Sequence, residues 1–226
     1  MRGTGVKAVA GAVLLAGLAG LAACGPAESK GAAGAGPSQA SAAGTPAPGA
    51  GAASAAPPAG SAGAAGSPCT LPVAFDLARD WKPKAVTHAD DEEFAGLFKQ
   101  GGTTLACEID AKPAGHLGFL RVWVADAPAA AGDARRVLEA FMAGEKAKGA
   151  PAYADLRAGT GDSSLPAVEA QYETAPLDEP KKERAVAVVT PGGRAVVLQL
   201  GGFDTAEHDA MLPAYRQALR SLRPAG

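Results

Sequence analysis

The residues best placed to do chemistry lie between Cys107 and Trp123, where two predicted strands flank a loop that contains Pro and Gly. Because side chains alternate along a strand, Glu108 and Asp110 share one face of the first strand. By the same spacing, Arg121 and Trp123 share one face of the second. If these faces coincide, a carboxylate meets the guanidinium beside the indole. This predicts either a patch that binds a ligand or partner, or a cross-strand ion pair that shields a core Trp, and we favour the ion pair. With His116 of the loop, the candidate binding patch comprises Asp110, His116, Arg121 and Trp123.

The sequence offers little else that is typical of catalysis or metal binding. None of the three histidines has the spacing of a metal-binding pair. His88 precedes an acidic run at 90–93, which we expect to complement the start of a helix rather than to bind a cation. His208 is expected on a solvated helix surface together with Asp209. A nucleophile elbow, a phosphate-binding loop and a Cys-x-x-Cys motif are also missing from the sequence, so we expect no catalytic residues, no metal and no cofactor.

The N-terminus has the pattern of an exported lipoprotein. Basic residues precede an apolar run of small residues at 8–19, which is shorter than a membrane span requires. The tetrapeptide LAAC, which ends at Cys24, follows and resembles the lipobox of bacterial lipoproteins. In that family the Cys sulfur receives a diacylglyceryl group and the chain is cut before it. The resemblance implies a signal peptide at 1–23, a palmitate-type anchor on Cys24, and a location on the extracellular face of the cell membrane. The alternative is a plain secretory signal with an accidental Cys.

The cysteine count then predicts a disulfide. Lipidation of Cys24 leaves two of the three cysteines, and the exported compartment is oxidising. We therefore expect Cys69 and Cys107 to pair. For a loop of this length, the chain-entropy model predicts that the disulfide stabilises the folded state by roughly 4 kcal/mol. The alternative is two buried free thiols.

Composition separates a linker from a folded domain. In 24–68, almost every residue after Cys24 is Ala, Gly, Pro or Ser. Such a segment cannot bury enough apolar surface to offset its ordering entropy, so we expect a disordered tether. The whole chain carries 21 Lys and Arg against 23 Asp and Glu, a balance that argues against a nucleic-acid partner.

Residues 69–226 are expected to form one α+β domain. In the run at 103–110, Leu105, Cys107 and Ile109 are expected on one face, and Pro191-Gly192-Gly193 is expected to make a type II turn between two strands. Alternation and apolar runs predict strands at 73–77, 103–110, 119–124, 153–158, 165–174, 185–190 and 194–200.

Helical spacing of apolar residues predicts helices at 133–147 and 205–222, and a short helix at 90–99. Pro213 predicts a kink or a break in the second of these. The expected architecture is an antiparallel sheet of about six strands with helices packed on it.

Three strings, CEIDAKPAG, LGFLRVW and KKERAVAVVTPGG, stand beside the lipobox and the Ala/Gly/Pro stalk. Taken together, these features resemble a group of actinobacterial lipoproteins that has no established activity. The order of strands and helices in 69–226 also resembles the PsbP-like fold of LpqN-type mycobacterial lipoproteins. This resemblance implies an α-β-α sandwich that binds proteins or small ligands. No family site residue matches a motif in this chain.

Together these observations predict a cell-surface lipoprotein whose tethered, non-catalytic domain binds an envelope protein or a small ligand. One alternative is an extracytoplasmic hydrolase with dispersed catalytic residues, which a deep pocket holding His116 or His88 beside a carboxylate would favour. Another is a structural or chaperone-like envelope component that works through the reach of its tether.

Overall fold

A computed structural model of the chain describes residues 59–87, 93 and 95–225. The predicted signal peptide, Cys24, the linker up to residue 58 and His88 lie outside the described residues. None of the described helices is long and apolar enough to cross a membrane.

The described residues form strands and helices in an α+β arrangement, as the sequence predicts. The α-helices are α1 (Ala95–Phe98), α2 (Ala134–Met142) and α3 (Thr205–Ser221). The strands are β1 (Ser61–Ala62), β2 (Val73–Asp76), β3 (Lys82–Ala85), β4 (Lys99–Gln100), β5 (Thr103–Asp110), β6 (Gly118–Ala125), β7 (Ala152–Ala158), β8 (Leu165–Thr174), β9 (Lys181–Val189), β10 (Ala195–Gly202) and β11 (Arg223–Pro224).

The main sheet has eight strands in the order β3-β5-β6-β10-β9-β8-β7, with β4 also paired to β5, and every pairing is antiparallel. A second sheet has three strands in the order β1-β2-β11. The main sheet exceeds the predicted six strands because β3 and β4 have the sequences KPKA and KQ, which carry no apolar alternation.

The two longer helices pack on opposite faces of the main sheet, as the alternate side chains of β10 show. Val196 and Leu198 belong to the apolar cluster that contains α3 and β2, whereas Ala195 and Val197 belong to the cluster that contains α2. A strand buried on both faces is apolar at nearly every position. We call these two faces the α3 face and the α2 face.

A β-bulge changes one predicted face of β5. Leu105 lies opposite Trp123, but Cys107 lies opposite Val122, so one extra residue is accommodated between them. Leu105 therefore joins the cluster on the α2 face, while Cys107 joins the cluster on the α3 face. The prediction that Leu105 shares a face with Cys107 is wrong.

The predicted type II turn is also wrong, and the break that was one of the two outcomes predicted at Pro213 is absent. The left-handed residue of the β9–β10 turn is Gly193, with φ 74°, and not Gly192, the position that a type II turn requires. The hairpin itself is confirmed. Helix α3 continues through Pro213 without a break. The carbonyl of Asp209, which loses its helical partner there, belongs to an exposed residue and can be hydrated.

The fold begins earlier than the predicted boundary at residue 69. Strand β1 pairs with β2, and the Ala62 side chain is fully buried in the core. Small side chains can fill a core position without producing any apolar pattern in the sequence, so the composition of 59–68 does not distinguish these residues from the linker. Nearby, Cys69 and Cys107 form a disulfide with their Cα atoms 5.8 Å apart, and this confirms the predicted pairing.

Candidate functional site

Helix α2 covers only part of its face of the sheet. Its apolar side packs over β8, β9 and β10, and the ring of Phe141 meets the Trp123 ring edge-on, with centroids 5.4 Å apart. Past Trp123, towards the start of β6, α2 no longer covers the sheet face, and cavities lie over it.

Two cavities lie side by side on this part of the α2 face. The first, which we call the Trp123 cavity, has about 410 Å³, and the second, the Phe203 cavity, has about 380 Å³. Arg121 and Glu183 line both, so we treat the two cavities together as one groove. The Trp123 cavity is further lined by Leu97, Gln100, Glu108, Trp123, Glu145 and Gln199, and the Phe203 cavity by Lys112, Leu117, Phe119, Lys181, Gly201 and Phe203.

Strand register sets the floor of the groove. In one cross-strand row, Gly201 of β10 lies between Phe119 of β6 and Glu183 of β9. In the next row, Arg121 lies between Glu108 and Gln199. Because Gly201 has no side chain, the floor of the Phe203 cavity is open between its two larger neighbours.

Arg121 is held in place by two contacts on its own face of the sheet. Its Nε donates a hydrogen bond to Glu108 Oε1 at 2.8 Å, and its guanidinium carbon lies 5.2 Å from the centroid of the Phe119 ring. Its terminal Nη groups make no hydrogen bond to any described residue. The predicted ion pair of Arg121 is thus present, and its partner is Glu108 rather than Asp110. The guanidinium is fixed in orientation and still has donors to offer.

Glu183 is almost completely buried and is surrounded by donors. Lys181 Nζ forms an ion pair with its Oε1 at 2.8 Å, Thr174 Oγ1 donates to the same oxygen at 3.0 Å, and the Tyr172 hydroxyl donates to its Oε2 at 3.2 Å. Both oxygens are therefore occupied by groups of the protein, and the charge of Glu183 is balanced by that of Lys181.

A hydrogen-bonded chain links Glu183 to the indole. Trp123 Nε1 donates to Gln199 Oε1 at 3.2 Å, and Gln199 Nε2 donates to the Tyr172 hydroxyl at 3.0 Å and to Glu145 Oε1 at 2.9 Å. Burial, followed by the nearby carboxylates of Glu183 and Glu145, raises the pKa of Tyr172, so its hydroxyl stays a donor. Burial also raises the pKa of Glu145. The polar floor is a connected network with fixed geometry.

The margins of the groove are apolar and open to solvent. Leu97, Leu117 and Phe203 are 69%, 48% and 74% exposed, and they are the exposed large hydrophobic side chains among the described residues. Leu97 lines the Trp123 cavity, and the other two line the Phe203 cavity. An apolar margin around a few placed polar groups is typical of sites that bind small molecules.

The structure divides the candidate binding patch. Arg121 and Trp123 line the groove together, whereas Asp110 and His116 are not among the residues that line it. Asp110 lies on the same face but accepts a hydrogen bond from the backbone N–H of Lys112 at 2.9 Å. His116 Nδ1 lies 3.4 Å from Glu207 Oε2, beside the first turn of α3.

Sequence reasoning missed Glu183 and Gly201, because they lie beyond the predicted strands at 185–190 and 194–200, and Gln199, because its apolar neighbours mark that strand as core. One available signal was the pair of charged residues Lys181 and Glu183, which a strand places on one face. Another was Gly201 near the end of β10, where a missing side chain weakens the strand and marks a close approach or an open floor.

His208 is not on a solvated surface, so that prediction is wrong for it, although Asp209 is exposed. His208 is 1% exposed, and its Nδ1 makes no hydrogen bond to any described group. Helical spacing places it on the inner side of α3 with Met211 and Tyr215. Burial, followed by the charge of Arg184, lowers its pKa, so the buried imidazole is kept neutral. Across the described residues, no group of three or more His, Cys, Asp or Glu could hold a metal ion.

A comparison with known protein families shows to which family this chain belongs. The sequence profile of a family described as uncharacterised lipoprotein matches residues 38–222, which is more than half of the chain. The chain belongs to this lipoprotein family. None of the curated proteins compared with the lipoprotein matches it. Family membership supports a membrane-associated, lipid-anchored location.

Proposed function

We propose that this lipoprotein is anchored to the outer face of the cell membrane by a lipid on Cys24 and that its folded domain binds a small ligand in the groove. The location rests on family membership and on the LAAC tetrapeptide. In this proposal residues 1–23 are a signal peptide, and the segment from Cys24 to residue 58 is a tether. The actinobacterial origin and the PsbP-like assignment stay predictions.

One observation carries the binding role: the exposed large apolar side chains border the same groove whose floor holds a fixed guanidinium. A soluble domain gains nothing from gathering exposed apolar side chains around an open cavity, unless something covers them. A concave groove that two cavities of this size form suits a small ligand better than a flat protein partner.

The proposed role is binding without catalysis. The floor carboxylates and the guanidinium are engaged with one another or with neighbouring donors, as in the Glu108–Arg121 and Lys181–Glu183 pairs. Groups held in this way orient a ligand, and a reacting acid or base needs a freer proton. His116, which the hydrolase alternative would use, contacts Glu207 outside the groove.

The test is native mass spectrometry of the full-length lipoprotein purified from the membranes of the cells that make it. We expect an adduct of small-molecule mass on the wild-type protein, and its loss from Gly201→Val, which fills the groove floor. The matched control is Gly192→Val in the exposed β9–β10 turn, where a Cβ would have only Thr190 Oγ1 within 4 Å, at 3.9 Å. A wild-type protein without any adduct, or an adduct that Gly201→Val retains, would contradict the proposal.

A further inference from the structure

We propose that the Phe203 cavity binds an amphiphilic anion, with a carboxylate or phosphate group on Arg121 and an apolar chain against Phe119, Leu117 and Phe203. This inference rests on the proposed function, because it names the class of ligand for the same groove.

The anionic part of the ligand follows from the donors of Arg121. A guanidinium has five N–H donors in a planar fork, and Glu108 uses one of them, on Nε. The Nη groups, which make no hydrogen bond to a described residue, form an edge that can pair with both oxygens of a carboxylate or phosphate. The side chain is 38% exposed, so the pair would be partly shielded from water while a ligand could still reach it.

The balance of charge in the cavity favours an anion over a cation. Arg121, Lys112 and Lys181 line it, and Glu183 is its one lining carboxylate. Lys181 and Glu183 neutralise each other at 2.8 Å, and both Glu183 oxygens already accept hydrogen bonds. Arg121 is paired with Glu108 but keeps its Nη donors, so the charge left for a ligand is the positive one of Lys112.

The apolar part follows from the walls and floor. Phe203 and Leu117 present exposed apolar surface, and covering that surface removes it from water. Between Phe119 and Glu183 the floor is open, since a Cβ built on Gly201 meets nothing closer than Glu183 Oε2 at 3.7 Å. A cavity of about 380 Å³ is within the range of sites that enclose a small organic ligand.

The experiment is isothermal titration of the full-length chain carrying Cys24→Ala, so that no acyl chain of the protein competes. The probes share one chain length: octanoate, octyl phosphate, octyltrimethylammonium and 1-octanol. We expect octanoate or octyl phosphate to bind at least about tenfold more tightly than the cation and the alcohol, since a hydrogen-bonded charge contributes that much. Comparing the two anions shows which headgroup the site prefers.

Arg121→Gln is expected to weaken binding of the preferred anion by about tenfold to a hundredfold and to leave octanol unchanged. The matched control is Arg135→Gln. Arg135 also donates through Nε to a glutamate, Glu139 at 2.6 Å, and lies over an aromatic ring, that of Tyr153 at 4.2 Å, but outside the groove. If Arg121→Gln is unstable because Glu108 loses its partner, the double variant with Glu108→Gln restores a neutral pair.

Three results would overturn the inference. The first is octyltrimethylammonium binding as tightly as either anion, and the second is an Arg121→Gln affinity equal to that of Arg135→Gln. Both leave the groove as a ligand site of another class, so the proposed function stands. The third is failure of all four probes to bind the Cys24→Ala parent chain, and the proposed function falls with it only if native mass spectrometry also finds no adduct.

Discussion

Two consecutive glycines of β10 should respond in opposite ways to the same substitution. Gly201 projects to the open α2 face, where a Cβ would meet Glu183 Oε2 at 3.7 Å, an ordinary contact. Gly202 projects to the α3 face, where a Cβ would lie 2.7 Å from the backbone nitrogen of His208 and 3.0 Å from the carbonyl oxygen of Asp204. Neither glycine has a left-handed backbone, so any difference between the variants reports space alone.

The magnitudes follow from this geometry. Replacing a strand glycine by Ala removes excess backbone freedom from the unfolded chain, which stabilises by about 0.5–1 kcal/mol when the site has room. Gly201→Ala should show this gain. Gly202→Ala has the same gain, but it must displace the first turn of α3, and overpacking of this kind costs about 1–3 kcal/mol. Because the gain cancels in the comparison, the variants should differ by about 1–3 kcal/mol in the free energy of unfolding.

Urea unfolding followed by far-ultraviolet circular dichroism measures both variants against the Cys24→Ala parent. Gly201→Ala is expected to raise the midpoint and Gly202→Ala to lower it relative to Gly201→Ala, with similar slopes. Equal midpoints, or a Gly201→Ala less stable than Gly202→Ala, would show that the floor of the Phe203 cavity is not open, and the ligand argument would lose its steric basis.

Three further predictions concern the disulfide, the buried phenols and the anchor. Reducing the Cys69–Cys107 bond is expected to lower the free energy of unfolding by about 4 kcal/mol, and an unchanged urea midpoint in reductant would refute this. Burial raises the pKa of Tyr172 and of Tyr215. Their contribution to stability is therefore present below their unfolded pKa of about 10 and declines as the pH rises above it. Tyrosinate absorbance from both phenols should appear only as the circular dichroism signal of the folded protein is lost. Tyrosinate absorbance while the protein is still folded would contradict this prediction. Cys24→Ala should release the protein from the membrane into the medium, and retention at the membrane would argue against the lipid anchor.

Much of the fold is visible in the sequence because it depends on patterns along the chain. Alternation in 165–174 predicts β8, and the apolar runs around Pro191 predict the β9–β10 hairpin. The short strands β1 and β3 have no such pattern. Backbone pairing with β2 and one small buried side chain, Ala62, hold β1, and β3 has the sequence KPKA, without apolar alternation. Pairing of Cys69 with Cys107 was predictable from compartment and count alone.

The groove could be predicted only in part. Alternation places Arg121 and Trp123 on one face. The position of His116 away from them depends on its contact with Glu207 of α3, which the sequence pattern does not reveal. The open floor depends on how far α2 extends across the sheet and on Gly201 lying between two large neighbours in the strand register. Strand register arises from long-range pairing, so no local stretch of sequence reveals it.

The most direct test of the account is an amide chemical-shift map of the isotope-labelled Cys24→Ala chain titrated with octanoate and with octyl phosphate. The account predicts saturable shifts for one of these anions at Gly201, Phe203 and the Arg121 side chain, with Tyr153 on the far side of α2 unchanged. Shifts that avoid Gly201 and Phe203, or that do not saturate with either anion, would contradict it.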